Sequence, residues 1–543
     1  MSITENDSNT PQGTGGTDAG RRQVLKGLVG GVIAGSLPGV AWSAAVQPAV
    51  GSPQTPAKAT GEIVDWSATQ LSLAIHRRQV SCREVMAAYL ARIEQLNPTY
   101  NALVALRDSN TLLKEASTYD VKLKAGESLG WLHGIPQAPK DLALTKDIVT
   151  TFGSPLLQKN QPKVDSIHVA RARAAGALMI GKTNTPEFGL GSQTYNPVYG
   201  PTRNPYNPQK TSGGSSGGAA TALALRMLPV ADGSDFGGSL RNPAAFCNVY
   251  GMRPSQGRVP RSPADEVFIS QLGYSGPMAR TVPDLALLLA TQSGLDLSDA
   301  LSLETSAELA ALTPQNVEHV LQSRQTGKKI GWLEDWDGYL AMEPGILALC
   351  EKALGNLADQ GMLIEPLKSP FAPERLWDTW LVHRHFGIGN GLLKYYEDPA
   401  KRALLKPEAI WEIEGSLKLS AADFFNASKT RSAWYKSLVT LFEHYDYLAA
   451  PTAQVFPFDV NEHWPTQING RSMDTYHRWM ETCFPWTLSG SPIISVPVGF
   501  SAQGLPMGMQ LIGRPRDDLG LLKLAYAYEQ HNDWVNTRRP ALQ

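Results

Sequence analysis

Extended and helical runs alternate along this chain, and that alternation restricts its fold more than any other feature. NALVAL at 101–106 reads as a short strand and HVARARAAGA at 168–177 as a helix. LMIGKT at 178–183 reads as a strand, SSGGAATALALRM at 215–227 as a helix and LPVADG at 228–233 as a strand. KKIGWLED at 328–335 restarts the pattern, and residues 344–362 form a long helix closed by Gly361. The end of the chain reads strand (491–500), strand (507–514), helix (519–530). Upstream, 65–75 and 81–96 have helical periodicity. The second of these opens on a capping box, Ser81 to Glu84, and carries the stripe Val85, Met86, Tyr89, Leu90 and Ile93. Strands spaced by helices of this length predict an α/β fold, with a large mixed, mostly parallel twisted sheet covered by helices on both faces. No repeat of fixed period is present, which excludes solenoids and propellers.

The 543 residues include 42% hydrophobic and 18% charged positions, enough for one large core. A formal net charge of −1 provides no overall field to recruit nucleic acid or anionic lipid. Cys82, Cys247, Cys350 and Cys483 lie far apart with no CxxC pair, so they read as small core residues rather than a zinc site, with one or two disulfides open to an exported chain. Near the start, Arg21 and Arg22 precede an apolar run over 24–40 and small residues at Ala41, Ser43, Ala44 and Ala45. This pattern resembles a twin-arginine signal peptide over 1–45, and implies periplasmic export with no stable membrane insertion after its removal. Residues 46–60 form a Pro/Ala linker, which leaves 61–543 as the functional domain.

Chemistry concentrates between Lys210 and Pro254. Two glycine-wrapped serines, Ser215 in GGSSGG and Ser239 in DFGGSLRNPA, stand 24 residues apart, and Lys140 lies upstream in the apolar context HGIPQAPKDLAL. Glycine beside serine lets backbone N–H donors approach a bound group, as acyl transfer requires. A serine hydroxyl is a poor nucleophile without a proton acceptor. Lysine can serve only when neutral: its pKa must fall by about three, a cost of roughly 4 kcal/mol, within reach of burial. Asp141 would oppose that fall if its carboxylate faced the amine.

PKDLAL, GGSSGG and DFGGSLRNPA, in this order, resemble the amidase signature family of serine hydrolases, and LPMGMQLIGRPRDDLGLLKLAYAYEQ matches its C-terminal pattern. The likeness runs from about residue 61 to 530. It implies a catalytic core over about 130–290 with Ser239 as nucleophile, Ser215 as the bridging serine after a cis peptide bond, and Lys140 as base. It also implies an oxyanion hole from the N–H groups of Phe236, Gly237, Gly238 and Ser239. Asp235 and Arg241 resemble family positions that brace that loop. Thr or Ile is more usual where Phe236 stands, which changes pocket shape rather than chemistry. The expected reaction is hydrolysis of a small carboxamide to carboxylate and amine or ammonia, with no cofactor, metal or nucleic-acid partner, in an assembly compatible with a homodimer. Esterase or aryl acylamidase activity of the same fold, a glutamyl-tRNA amidotransferase A-like subunit, and a binding protein that has lost turnover are the alternatives. The last would lack a member of the set, and none is missing.

The aromatic-rich stretch 371–485, with Trp377, Trp380, His383, His385, Phe386, Tyr395 and Trp411, reads as the substrate-pocket region or as core. Two further patterns lead elsewhere. GGSSG at 213–217 fits a nucleophile elbow with His444, His463 or His477 as partner, but its lead-in, YGPTRNPYNPQKTS, is not a buried strand. GALMIGKT at 176–183 fits a phosphate-binding loop, yet its centre is a buried strand rather than a polar cradle.

Overall fold

The computed structural model describes residues 62–542 except Ser270. The expected leader (1–45) and linker (46–60) lie outside the described residues. Eight strands form the central sheet: β1 (Val230–Asp235), β2 (Tyr250–Arg253), β3 (Tyr274–Ala279), β4 (Lys329–Trp332), β5 (Leu363–Pro366), β6 (Tyr447–Pro451), β7 (Ile493–Phe500) and β8 (Pro506–Ile512). Their spatial order is β1-β3-β2-β7-β8-β6-β4-β5. The sheet is mixed, as expected, but its parallel share is small. Five of its seven neighbouring pairs are antiparallel, and only β6–β4 and β4–β5 are parallel. Alternation of apolar residues marks a strand without marking its direction. Short returns such as Ser501–Leu505 between β7 and β8 permit antiparallel neighbours, whereas parallel ones need a crossover.

The helices used below are α1 (Cys82–Tyr100), α2 (Gly217–Ala224), α3 (Arg241–Cys247), α4 (Val282–Gln292), α5 (Pro373–Tyr396), α6 (Pro407–Ser416), α7 (Ala421–His444) and α8 (Asp518–Glu529). The capping box at the start of α1 is present: the Ser81 N–H and Oγ–H both donate to Glu84 Oε2, and the Glu84 N–H donates to Ser81 Oγ. α3 packs on β7 and β8, α4 on β3, and α8 on α4 and β7, while α5 packs against α6 and α7. Residues Ile493–Gly499, apart from the partly exposed Phe500 that ends β7, are buried, as is all of β8. Burying side chains on both faces of central strands supplies most of the stabilisation.

The runs at 101–106 and 178–183 do form strands, but outside this sheet. Leu103–Val104 pairs with Lys182–Thr183, and Pro136–Gln137 with Leu178–Met179. Lys182, the lysine of the phosphate-loop pattern, is buried and donates to Ala143 O at 2.5 Å and Thr145 Oγ1 at 2.6 Å, so it serves packing. All four cysteines are free and buried. No described helix is long and apolar enough to cross a membrane.

Candidate active site

Lys140 enters the site from the segment after Pro136–Gln137, held by a bridge to Thr183 and by its own N–H, which donates to Asp232 Oδ2 at 3.2 Å. Only 1% of the residue is exposed. Its Nζ lies 2.7 Å from Ser215 Oγ, 2.9 Å from Ser216 Oγ, 3.1 Å from Ser234 Oγ and 3.3 Å from Ser234 O. Burial pushes the amine's pKa down to about 7, although the negative charges of Asp235 and Asp232 pull it upward. A neutral amine has two N–H groups and one lone pair. The Ser234 carbonyl can only accept, so it takes one N–H and leaves the lone pair available to a hydroxyl proton. Asp141 does not oppose this. Its carboxylate turns away and accepts from Thr151 N at 3.0 Å and Thr151 Oγ1 at 2.5 Å.

Ser215 follows a cis peptide bond from Gly214. The loop is anchored from the facing chain: Ser192 Oγ donates to Gly214 O at 2.5 Å, and the Thr194 N–H to Gly213 O at 3.0 Å. Gly218 is required by close approach, since a Cβ there would lie 2.3 Å from Asn184 N. Helix α2 then runs back beneath the site, buried along its length. The lead-in to Ser215 is loop rather than strand, and His477 of the elbow reading is instead buried, with Nε2 3.6 Å from Glu412.

Ser239 sits where edge strand β1 ends and α3 begins, with its residue partly exposed. The two serine loops meet through the Ser216 N–H, which donates to Ser239 O at 3.2 Å. The N–H groups of Phe236, Gly237 and Ser239 donate to no described residue. Gly238 differs from the expected set: its N–H donates to Asp235 Oδ1 at 2.9 Å and is not free to meet an oxyanion. The Asp235 carboxylate lies inside the turn and takes the nearest N–H groups, that of Leu240 included, at 3.1 Å. Arg241 grips the same carboxylate through Nε (3.0 Å) and Nη2 (2.9 Å), and reaches Cys483 O, Gln510 Oε1 and Thr487 Oγ1 with its remaining donors. Burial alone would raise the Asp235 pKa. The Arg241 charge and hydrogen bonds outweigh it, with help from Arg253, and hold this carboxyl well below the usual range.

Gly238 has φ +117°, and a Cβ on it would lie 2.9 Å from Asn242 Nδ2 and 3.0 Å from Cys483 Sγ. Gly238→Ala is therefore expected to displace the turn and lower kcat by about a hundredfold. Steady-state kinetics on the folded variant measures this.

Phe236 forms a wall beside the turn. The Arg384 guanidinium lies 4.8 Å from its ring centroid, and buried Glu412 holds Arg384 Nε at 3.0 Å, His385 Nδ1 at 2.8 Å and Tyr476 Oη at 2.5 Å. Below the turn, Trp380 stacks on Phe484 with centroids 3.6 Å apart. Each would stand about 3.1 Å from a Cβ at Gly237. Of the large rings in 371–485, Trp377, Trp380, Trp434 and Trp479 are core and Trp411 is exposed, while His383 and Phe424 line an open cleft. Among the described residues, no group of three or more His, Cys, Asp or Glu side chains is placed to hold a metal ion.

The structure thus brings Lys140 and Ser215 into contact and sets Ser239 on the adjoining turn. Ser216 and Ser234, two hydrogen-bond partners of the amine, escape the sequence reading. Both carried a signal: Ser216 is the second serine of GGSSGG, and Asp232 and Ser234 share one face of β1 by two-residue periodicity.

Residues 84–522 match the family model described as Amidase. The chain belongs to the amidase signature family. Over 502 residues it is 36% identical to the A subunit of glutamyl-tRNA(Gln) amidotransferase from Moorella thermoacetica, covering 89% of this chain and 99% of that one. It is 32% identical to an acylamidase of Rhodococcus erythropolis, covering 89% and 98%. Among solved structures it is similar to a bacterial aryl acylamidase of the amidase signature family, with TM-score 0.79, 30% identity, and 86% and 96% covered. The peptide amidase of Stenotrophomonas maltophilia superposes with TM-score 0.69 at 27% identity, covering 88% and 98%. As a family member the chain has the fold and the amide-directed chemistry of these enzymes.

Proposed function

We propose that this amidase family member hydrolyses a small carboxamide through an acyl-enzyme on Ser239, with Ser215 and Lys140 moving the proton. The Ser239 hydroxyl attacks the carbonyl carbon while its proton passes to Ser215, whose own proton passes to the neutral amine of Lys140. The C–N bond then breaks as the proton returns through Ser215 to the leaving nitrogen. Water, activated by the same pair, releases the carboxylate. The free N–H groups of Phe236, Gly237 and Ser239 suit the developing oxyanion, each of the order of a hundredfold in rate. The observation that carries the reading is the 2.7 Å contact between Ser215 Oγ and a buried amine whose pKa burial lowers to about 7.

The test is a pH profile. Below pH 7 the amine is an ammonium and cannot accept a proton, so kcat/KM is expected to rise about tenfold per pH unit up to about 7 and level off above it. Lys140→Ala is expected to abolish that rise along with most of the activity, with the fold retained. A folded Lys140→Ala protein with near-normal rate at pH 7 would defeat the assignment. Matched amide and ester substrates, presented as primary, aryl and peptide series, separate the amidase from an esterase.

The 36% identity to the Moorella thermoacetica protein favours a second reading, in which the chain works within an amidotransferase complex. The proposed export leader favours the first. We include in the proposal a twin-arginine leader, resting on Arg21, Arg22 and the apolar run that follows. Cell fractionation decides it: accumulation of the mature protein in the periplasm, lost when both arginines become lysine, excludes the amidotransferase reading.

A further inference from the structure

A cleft of about 720 Å³ opens along α7, facing segments around Gln256, Phe268, Leu301 and Leu488, in the size range of small-molecule sites. It lies past Phe236: His383 precedes Arg384, which covers the Phe236 ring, and Gln271 lies two residues before Gly273, whose Cβ would stand 3.3 Å from that ring. Among the described residues its lining includes Arg431, Lys436 and Arg516 and no carboxylate. Arg431 is the unusual member. Its Nε donates to Leu488 O at 2.9 Å, Nη1 to Gln271 Oε1 at 3.1 Å and Nη2 to Gln256 Oε1 at 2.9 Å. All three acceptors are neutral, and one N–H on each terminal nitrogen has no described acceptor. A guanidinium with no counter-ion among the described residues, set in a concave site, is complementary to an anion.

His383 lines the same cleft and is 8% exposed. Apolar groups share the walls with polar ones: Phe424 edges the His383 ring at 5.0 Å, and Phe268 and Ile269 are 67% and 51% exposed. We infer that this cleft binds an apolar carboxylate, its anionic end on Arg431 and its alkyl or aryl body against Phe424, Phe268 and Ile269. That chemistry has two sources, the far end of an amide substrate or a free carboxylic acid of the kind amide hydrolysis releases.

The test titrates the full chain calorimetrically with 4-phenylbutyrate and with its uncharged analogue 4-phenylbutan-1-ol. The acid is expected to bind about tenfold or more tighter, the scale of a charge-assisted pair. Arg431→Gln should erase the preference and Arg431→Lys retain part of it. Ser432→Glu, at an exposed position lining the cleft, should also erase it by setting a negative charge there while leaving the Arg431 contacts intact. The second variant keeps the test decisive if Arg431→Gln does not fold. Competitive inhibition of amide hydrolysis by the acid identifies the substrate's far end as the source. Affinity unaltered by saturating amide identifies a free acid. Equal binding of acid and alcohol, binding of neither, or an acid preference that survives in Ser432→Glu overturns the inference. Binding is read without turnover, so the outcome is separate from that of the proposed reaction.

Discussion

Ser239→Ala is expected to lower kcat for amide hydrolysis by about a million-fold, the scale on which serine hydrolases depend on their attacking hydroxyl. The protein should remain folded. Ser239 is partly exposed on a turn secured by Asp235 and Arg241 rather than by the serine side chain, so removing one oxygen changes stability by about 0.5 kcal/mol or less. Three measurements check this: amide turnover, covalent labelling by a serine-directed phosphonate, and the unfolding midpoint. Turnover and labelling should vanish together while the midpoint holds. Because Ser215 and Lys140 act on the same proton, adding Lys140→Ala to Ser239→Ala should cost almost nothing further. Residual activity within a hundredfold of the parent, in a folded Ser239→Ala protein, would move the nucleophile elsewhere, with Ser215 the first candidate.

The largest effect on stability is expected from Arg241→Met. Arg241 and Asp235 are both wholly buried, and the arginine spends its donors on that carboxylate and on Cys483, Gln510 and Thr487. Methionine fills much of the volume but leaves the buried carboxylate with Arg253, 3.6 Å away, as its remaining cation among the described residues, a loss of about 3 kcal/mol. Denaturant unfolding at pH 7 measures it. The pH dependence has a definite sign. Asp235 has a folded pKa held below its unfolded value near 4, so its contribution is present above pH 4 and is lost as the pH falls below it. In Arg241→Met the stranded carboxylate takes up a proton more readily, so the deficit should shrink on acidification. A deficit independent of pH would mean that lost packing, not stranded charge, is responsible. The loss should also reach the active site, because the same carboxylate holds the Gly238 and Leu240 N–H groups that shape the turn.

Much of this was legible in the residues. The capping box at Ser81, a strand read over 228–233 and found over Val230–Asp235, a helix read over 215–227 and found over Gly217–Ala224, and the burial of the cysteines all follow from local rules. The serine and lysine motifs pointed to one site because acyl transfer needs a base beside a hydroxyl. Local rules failed where direction or partnership mattered. A strand such as β8 reads the same whether its neighbour runs with it or against it. Gly238 in DFGGS looked as free to donate as Gly237, yet the Asp235 carboxylate claims its N–H.

Order and identity of the chemical groups were thus determined by the sequence alone: two serines in glycine loops, a lysine in an apolar context, an acid and an arginine bracketing the nucleophile turn. Which groups touch was decided by the tertiary structure. Ser234 and Ser216 became partners of the amine, Asp141 turned to Thr151, and Arg431 was left facing a cleft without an acid. The physical reason is range. Periodicity, caps and turns depend on neighbours a few residues away, whereas the pKa of Lys140 and the charge balance around Arg431 depend on side chains brought together from scores to hundreds of positions apart.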